Sequence, residues 1–354
     1  MSPRSPRQSA PVLGGAGLPG PGGGGGGWGV PGPSGALAER VSARMERVEE
    51  RLRASVTSSD RLADSTSRHL VEAGGKRVRP LLVLLAAELG DGTAPEVLEA
   101  AAVVELTHLA TLYHDDVMDS APLRRGAPAA QRVWGNNVAI LTGDLLFARA
   151  SRLVAALGPD AVEIQAATFE RLVLGQLHET VGPADDEDPV AHYLQVLSDK
   201  TGSLIATSAL FGAMFGGCDQ QVRDVVVAYG ERVGVAFQLA DDVLDLLGDE
   251  SGKQAGTDLR EQVPTLPVLL ARDAAAAGDA AAAAAVALLD GPLEGDDELA
   301  AAVAALRALP STEVARSRAQ HCAQQAVDAL APLPETDARE AMAAFAAAIA
   351  DRTR

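Results

Sequence analysis

Two aspartate-rich segments of the 354-residue chain share one spacing that could bind divalent cations. Each reads Asp-Asp-x-x-Asp, beginning at Asp115 in the first segment and at Asp241 in the second. In a helix, residues four apart project from one face, so each segment offers two neighbouring carboxylates. Like charges this close raise each other's pKa and destabilise a helix unless a cation lies between them. The predicted metal ligands are Asp115, Asp116, Asp119, Asp241, Asp242 and Asp245.

A solvated run of charge is the alternative interpretation, and a single match of this kind would be weak evidence. Both segments, however, follow apolar sequence, at 106–112 and 233–239. The aspartates should therefore lie at the mouth of a core. Because Mg²⁺ shares its oxygen ligands between carboxylates, water and substrate phosphates, two facing segments would hold a diphosphate between them.

Basic residues lie close to these landmarks, although the net charge of the chain is −18. A glycine-containing turn at 74–80 carries three cations, and Arg124 and Arg125 follow the first aspartate segment. Lys200 precedes a predicted helix, and Lys253 follows the second aspartate segment. Arginine suits bidentate contacts with phosphate, and lysine supplies a point charge. Taken singly, each is typical of a solvated surface, but together they favour a phosphate site.

The overall composition excludes several classes of protein. An excess of acidic residues argues against a nucleic-acid binder, which needs a basic surface to replace counterions. No apolar run approaches the roughly 18 residues needed to span a bilayer. The two cysteines, Cys218 and Cys322, cannot form a disulfide framework, which favours a reducing compartment. We expect a cytoplasmic protein that has no membrane span.

The pattern of apolar residues predicts one all-α domain over 36–354, preceded by a disordered Gly/Pro-rich tail over 1–35. The tail lacks the apolar segment of a secretion signal. Alanine-rich stretches and scarce alternating runs favour a helical bundle around a central cavity. Helices are predicted at 37–56, 60–72, 80–89, 95–119, 136–157, 160–180, 189–199, 201–216, 220–248 and 264–277, with three or four shorter ones after 283.

Taken together, these segments resemble the trans-isoprenyl diphosphate synthase (polyprenyl synthetase) family over about residues 36–350. The matching segments are GGKRVRP at 74–80, 108–128, Gly143-Asp144, Gly175-Gln176, Lys200-Thr201, 237–245 and 252–259. The resemblance implies an isoprenoid-synthase-type helical bundle, three Mg²⁺ ions and a homodimer. It also implies head-to-tail condensation of isopentenyl diphosphate with an allylic diphosphate to give an all-trans polyprenyl diphosphate.

The resemblance also assigns a role to each matching residue. Asp115, Asp119 and Asp241, supported by Asp116, Asp242 and Asp245, would hold the metals on the allylic diphosphate. Arg124, Lys200 and Lys253 would neutralise that diphosphate. Lys76, Arg79, His108 and Arg125 would bind isopentenyl diphosphate, although His108 alone would be interpreted as a core residue. Thr201 and Gln238 would line the path of the carbocation.

The chain departs from the family pattern after residue 259. The family usually has a Gly-Lys pair before Thr-Leu-Pro, and here Gln262 and Val263 take its place. A positive charge is therefore missing near the allylic diphosphate, although Lys200 and Lys253 remain.

Small side chains before the first aspartate segment predict a long product. Ala110 and Thr111 form the first layer below Asp115, and Thr107 lies in the next. A bulky aromatic residue in the first layer would close the cavity, as it does in short-chain relatives. We therefore expect a product of at least geranylgeranyl length, and a longer one for a quinone side chain.

Two other functions remain open from the sequence. A terpene cyclase or head-to-head condensing enzyme of the same fold also uses aspartate segments and Mg²⁺, but it needs no site for isopentenyl diphosphate. A non-catalytic subunit of a heteromeric synthase typically loses aspartates, whereas this chain keeps all six. A scaffold bundle would leave the paired segments without an explanation.

Overall fold

Helices make up most of the described part of the chain, which comprises residues 35–248, 255–293 and 295–351 of the computed structural model. The predicted all-α fold is confirmed. The predicted tail lies outside the described residues, except for Gly35, where the first helix begins. The helices are α1 (Gly35–Val56), α2 (Arg61–Glu72), α3 (Val78–Ala87), α4 (Pro95–Met118), α5 (Ala130–Trp134), α6 (Asn136–Ala156), α7 (Pro159–Val181), α8 (Pro189–Leu197), α9 (Ser203–Phe215), α10 (Gln220–Leu247), α11 (Thr257–Arg260), α12 (Leu266–Ala276), α13 (Ala280–Leu289), α14 (Asp296–Arg307), α15 (Pro310–Ala329) and α16 (Asp337–Asp351).

Three short elements differ from the sequence prediction. The helices α5 and α11 were not predicted, and a two-stranded hairpin joins β1 (Leu123–Arg124) to β2 (Ala127–Pro128). The two residues of the hairpin turn, Arg125 and Gly126, have positive φ values of 52° and 79°. Such φ values at both central residues are typical of tight hairpin turns. The segment after the first aspartates is therefore held as an ordered hairpin.

The helix α4 lies at the centre of the bundle. Its apolar residues point in all directions, which is expected of a helix surrounded by others. It packs against α1, α3, α6 and α9, while α10 packs against α9 and α15. The two aspartate segments lie at the carboxyl ends of α4 and α10, so the core itself fixes where they are placed.

A second, smaller hydrophobic cluster packs beside the main core. Side chains from α11, α12, α13 and α14 form it, among them Leu259, Leu289 and Leu306. The guanidinium of Arg307 on α14 donates from Nε to the carbonyl oxygen of Leu246 at 2.8 Å. This cation lies at the carboxyl end of α10, where the helix dipole favours positive charge. The cluster therefore supports the end of the helix that carries the second aspartate segment.

No described helix combines the length and the apolar composition that crossing a bilayer requires.

The crossing of α3 and α9 depends on a glycine. A Cβ atom at Gly212 would lie 2.2 Å from the carbonyl oxygen of Val83 and 2.9 Å from the Cβ of Ala86. The two backbones therefore touch, and no side chain fits between them.

We predict that Gly212→Ala destabilises the fold, because the added methyl group must push α3 and α9 apart. Overpacking of this kind costs about 1–3 kcal/mol in the free energy of unfolding, measured by urea denaturation. The control is Gly35→Ala at the start of α1, where nothing lies within 4 Å of the added atom. Equal stability of the two variants would show that the crossing is looser than described.

Candidate functional site

The bundle encloses a cavity of about 740 Å³ between α3, α4, α6, α7, α9 and α10. The cavity brings together most of the residues that the sequence predicted. The predicted residues that line it are Lys76, Arg79, His108, Thr111, Asp115, Arg124, Arg125, Lys200, Thr201, Gln238 and Asp241. The predicted residues outside its lining are Thr107, Ala110, Asp116, Asp119, Asp242 and Asp245. Lys253 lies outside the described residues.

Asp115 from the first aspartate segment lies on the cavity wall, within the last turn of α4. Burial raises the pKa of Asp115 to about 6, an effect that the Lys200 ammonium opposes and the Asp119 carboxylate increases. Asp119 is the residue at which α4 ends, and burial raises its pKa as well. These two carboxylates are thus kept in an environment that disfavours their negative charge.

Asp116 points away from the cavity lining and holds Arg124. The Nε and Nη2 atoms of Arg124 each lie 2.5 Å from Oδ1 of the fully buried Asp116. The Oδ2 atom of Asp116 is buried and has no hydrogen-bond partner within the described part of the chain. Gln131 of α5 donates to the Asp116 carbonyl oxygen at 2.7 Å. The middle aspartate therefore fixes the hairpin and points the Arg124 guanidinium towards the cavity.

The second aspartate segment divides its roles in the same way. Asp241 lines the cavity, whereas Asp242 is buried and accepts hydrogen bonds from the Tyr193 hydroxyl and, at 3.2 Å, from the Gln238 amide. Burial raises the pKa of Asp242 to about 7. The Asp245 carboxylate accepts the backbone N–H groups at the start of α11, at 3.2 and 3.0 Å. Asp245 therefore accepts hydrogen bonds from backbone N–H groups that have no partner within the first turn of α11.

The two aspartate segments face the same region of the molecule. Asp115 and Asp241 line one cavity. Burial raises the pKa of Glu261, and the carboxylates of Asp119 and Asp245 raise it further. One side chain thus lies within electrostatic reach of both segments.

These carboxylates fit a divalent cation that is shared with a ligand. Among the described residues, no group of three acidic, histidine or cysteine side chains is close enough to hold one ion. Each ion would therefore take one or two protein ligands and complete its shell with water or phosphate oxygens, as Mg²⁺ prefers. The raised pKa of Asp115 is the feature that a cation would relieve. The donor set, which consists of oxygen atoms, agrees with this metal.

A separate group of cations lines another part of the cavity. Burial lowers the pKa of Arg79 to about 10, and the Nε atom of this residue is buried without a hydrogen-bond partner among the described residues. Burial also lowers the pKa of His108, and the nearby Arg79 and Arg125 lower it further, so this imidazole is neutral. The Arg125 Nη1 atom donates to the carbonyl oxygens of Leu70, at 3.1 Å, and Gly74. Desolvated cations gathered in this way form a site for an anion.

The turn before α3 gives Arg125 its place. Gly75 has a φ of 141°, and a Cβ atom there would lie 2.7 Å from the Arg125 guanidinium carbon. A residue with a side chain would be strained at this φ, and its Cβ atom would push the guanidinium away. The glycines at 74–75 therefore position a cation that comes from the hairpin 50 residues later along the chain.

Lys200 and Thr201 lie in a π-helical turn, Ser198–Gly202, which replaces the regular helix start predicted near 201. This π-turn carries a wider backbone, and such turns occur frequently at functional sites. The Lys200 Nζ atom lies 2.5 Å from Oε2 of Glu179 on α7, close to the first aspartate segment. Thr201 donates to Gln238 at 3.4 Å. The π-turn thus places both residues on the cavity wall.

An arginine that the sequence analysis did not identify holds the π-turn. Arg171 of α7 donates from Nε to Asp199 at 2.9 Å and from Nη1 to Glu231 of α10 at 2.6 Å. A Cβ atom at Gly175 would lie only 2.7 Å from the backbone nitrogen of Lys200, so α7 packs directly against the turn. The only sequence signal in this region was the Gly175-Gln176 match.

The structure changes the predicted wall below Asp115. Thr111 lines the cavity, but Ala110 is fully buried, and its carbonyl oxygen faces α6 at Gly143. Thr107 is also buried and accepts a hydrogen bond from Gln165 of α7 at 2.7 Å. Two aromatic residues that the sequence analysis did not name, Phe147 of α6 and Phe169 of α7, line the cavity instead, with ring centroids 4.4 Å apart.

The turn that departs from the family pattern keeps the backbone of a glycine turn. Gln262 has a φ of 58°, a conformation that glycine adopts at less cost. The Val263 N–H donates to the Asp258 carbonyl oxygen at 2.9 Å. Burial raises the pKa of Asp258 to about 8, and Asp245 and Asp242 raise it further. The region that lacks the lysine is therefore strongly acidic.

Comparisons with known proteins agree with this geometry. Residues 60–305 match the family model described as polyprenyl synthetase. The chain is 46% identical to the nonaprenyl diphosphate synthase of Mycobacterium tuberculosis over 87% of its own length and 92% of that protein. Its fold resembles that of the geranylgeranyl pyrophosphate synthase of Corynebacterium glutamicum, which was solved with calcium and isoprenyl diphosphate. The TM-score is 0.81 and the identity 40%, and the match covers 91% of the chain and 99% of that protein. It also resembles a decaprenyl diphosphate synthase of Rhodobacter capsulatus, with a TM-score of 0.81 and 33% identity. This match covers 91% of the chain and 100% of that protein.

We predict that Arg171→Lys lowers turnover in the Mg²⁺-dependent condensation expected from the sequence by about 10–100-fold. Lysine keeps the charge but cannot bridge Asp199 and Glu231 at once, so the π-turn and Lys200 should shift. Steady-state rates measure the effect, and Arg272→Lys, at an exposed ion pair with Asp290, is the control. If both variants retain full activity, Arg171 does not position the turn.

Proposed function

We propose a function from the premise that the chain belongs to the polyprenyl synthetase family. The protein is a prenyltransferase, and it condenses isopentenyl diphosphate head-to-tail with an allylic diphosphate. The products are diphosphate and an all-trans polyprenyl diphosphate. One observation carries this proposal: a single cavity is lined both by aspartates from two helices and by a separate group of cations. Two anionic substrates can therefore bind side by side.

The aspartate side of the cavity suits the allylic diphosphate, which must leave. Mg²⁺ bound there would act as a Lewis acid and a template for the leaving group. We assign Asp115, Asp119 and Asp241 to hold it, with Asp116, Asp242 and Asp245 in support. Arg124 and Lys200 approach the same carboxylates and would stabilise the negative charge that develops on the diphosphate. Lys253 belongs to this group in the proposal as well.

The cationic side suits the diphosphate of isopentenyl diphosphate. We assign its binding to Lys76, Arg79, Arg125 and the neutral His108, which offers a hydrogen bond without adding charge. Arg79 has donors to spare, since its Nε is buried and unpartnered among the described residues. Holding the two substrates together makes the carbon–carbon step effectively unimolecular.

The chemical step moves three electron pairs. The carbon–oxygen bond of the allylic substrate breaks, and its electrons leave with the diphosphate. The alkene of isopentenyl diphosphate supplies the pair for the new carbon–carbon bond. A proton then passes to the released diphosphate, and the electrons of the broken carbon–hydrogen bond form the new double bond. Thr201 and Gln238 lie along this path, and the apolar remainder of the wall keeps water from quenching the cation.

We propose that three Mg²⁺ ions take part, as the resemblance implies. The oxygen-only donor set favours Mg²⁺ ions that are shared with substrate oxygens. The binding of calcium with isoprenyl diphosphate by the Corynebacterium glutamicum enzyme supports a divalent site in the same fold.

We propose a product of geranylgeranyl length or longer, which would supply the side chain of a quinone. Thr111 is small and faces the cavity below Asp115, which supports growth past that layer. Relatives that carry nonaprenyl, decaprenyl and geranylgeranyl in their names share this fold, so the length depends on local wall residues.

The protein should act as a homodimer in the cytoplasm. Large apolar side chains are exposed on α6 and α7, and a concentration of this kind marks an interface. Those that lie outside the cavity lining are Leu141, Val162, Leu174 and Val181. Both cysteines are free thiols, which agrees with a reducing compartment.

A terpene cyclase or a head-to-head condensing enzyme is the second candidate. The group of cations on the cavity wall argues against both, because neither reaction needs a site for isopentenyl diphosphate. The six aspartates argue against a non-catalytic subunit in the same way.

We predict that the purified protein with Mg²⁺ extends farnesyl or geranylgeranyl diphosphate by isopentenyl units, seen by sizing the dephosphorylated products. Asp115→Ala or Asp241→Ala should lower this activity at least about 100-fold, because the leaving group loses its metal-bound stabilisation. The control is Asp224→Ala at an exposed position of the same helix as Asp241. Near-normal activity of either variant would contradict the shared-metal site, and a cyclic or head-to-head product would favour the second candidate.

We predict that the wall residues set product length in opposite directions. Ala110→Phe should shorten the product, because a ring beside Thr111 must enter the cavity or force α6 away. Phe169→Ala should lengthen it by removing one member of the aromatic pair. Glu170→Ala, exposed on the same helix, is the control. An unchanged product distribution in both test variants would refute this placement of the wall.

A further inference from the structure

One buried carboxylate lies among the cations assigned to isopentenyl diphosphate. Glu105 of α4 lies one helical turn before His108 and lines the cavity, and its side chain is only 2% exposed. Its Oε1 atom accepts a hydrogen bond from Nη1 of Arg77 at 2.9 Å. It thus presents negative charge where the substrate's own negative charge would bind.

We propose that Glu105 is the resident counter-anion of this pocket, which balances its cations in the free enzyme and weakens the binding of isopentenyl diphosphate. The inference rests on the proposed function. It assigns Glu105 a positioning and affinity-setting role, distinct from the groups that would contact the substrate.

The cations of the pocket need an anion when no substrate is bound. The Nε atom of Arg79 is buried, and Glu105 opposes the lowering of the Arg79 pKa that burial causes. The same carboxylate opposes the lowering of the Arg125 pKa. Leaving such desolvated cations without a nearby anion would be costly for the fold.

Arg77 does not by itself account for Glu105. Its side chain, 1% exposed, also binds Oε1 of Glu49 from Nε at 2.5 Å and the Val71 carbonyl oxygen from Nη2 at 2.9 Å. Glu49 therefore already pairs with this guanidinium from the side away from the cavity lining. Glu105 also pairs with Arg77, and its charge reaches beyond this guanidinium to Arg79 and Arg125, which would bind the substrate.

A purely structural role makes the opposite prediction. If Glu105 only holds Arg77 in place, removing its charge should leave substrate binding unchanged or weaken it. If Glu105 competes electrostatically with the diphosphate, removing its charge should raise the positive potential of the pocket and tighten binding.

The test is Glu105→Gln, which keeps an oxygen acceptor for Arg77 and removes the charge. Calorimetric titration with isopentenyl diphosphate, without added metal, should show binding about tenfold tighter than that of the parent protein, with a lower KM for this substrate. The matched control is Glu49→Gln, which removes the other carboxylate from Arg77 and should change the affinity by less than about twofold.

Equal or weaker binding by folded Glu105→Gln overturns the inference, and so does equal tightening by Glu49→Gln. If Glu105→Gln is too unstable for titration, the rise in Tm that isopentenyl diphosphate causes should be larger for the variant than for the parent. An equal or smaller rise overturns the inference as well. Failure of the parent protein itself to bind isopentenyl diphosphate would count against the proposed function instead.

Discussion

Burying like charges together within an apolar bundle is the constraint on which the rest of this structure depends. One part of the cavity gathers carboxylates, and another gathers guanidinium groups and an imidazole. Each group alone is unfavourable, as the raised pKa of Asp115 and the lowered pKa of Arg79 show. In the proposed function, two anionic substrates and metal ions would bind between the two groups and relieve this unfavourable charge.

Residues next to the reacting groups hold this unfavourable arrangement in place. In both aspartate segments, one carboxylate faces the cavity while its neighbour is turned away and hydrogen-bonded. Asp116 anchors Arg124, and Asp242 accepts hydrogen bonds from Tyr193 and Gln238. Arg171 clamps the π-turn that carries Lys200. Such support fixes the geometry of a site whose own charges would otherwise drive it apart.

The sequence predicted the parts of this site that depend on local spacing. A single sequence directly displays the spacing of the aspartates and the apolar runs that precede them. The π-turn could not be predicted in this way, because it depends on Arg171 and Gly175, which lie on another helix. Ala110 shows a different limit. One residue turns a helix by about 100°, so a position adjacent to the wall residue Thr111 lies instead against α6. The role of Glu105 could not be predicted either, because the sequence of its apolar helix does not show which cations from other segments lie beside it.

The central helix α4 has a consequence for repeated catalysis. His108 and Asp115 lie on this one rigid rod, seven residues apart, so their backbones are separated by roughly 10 Å along its axis. A helix surrounded on all sides cannot lengthen or bend as the chain within the cavity grows. In the proposed reaction, every cycle would therefore join its two substrates across the same gap, and only the depth that the growing tail reaches would differ from one round to the next.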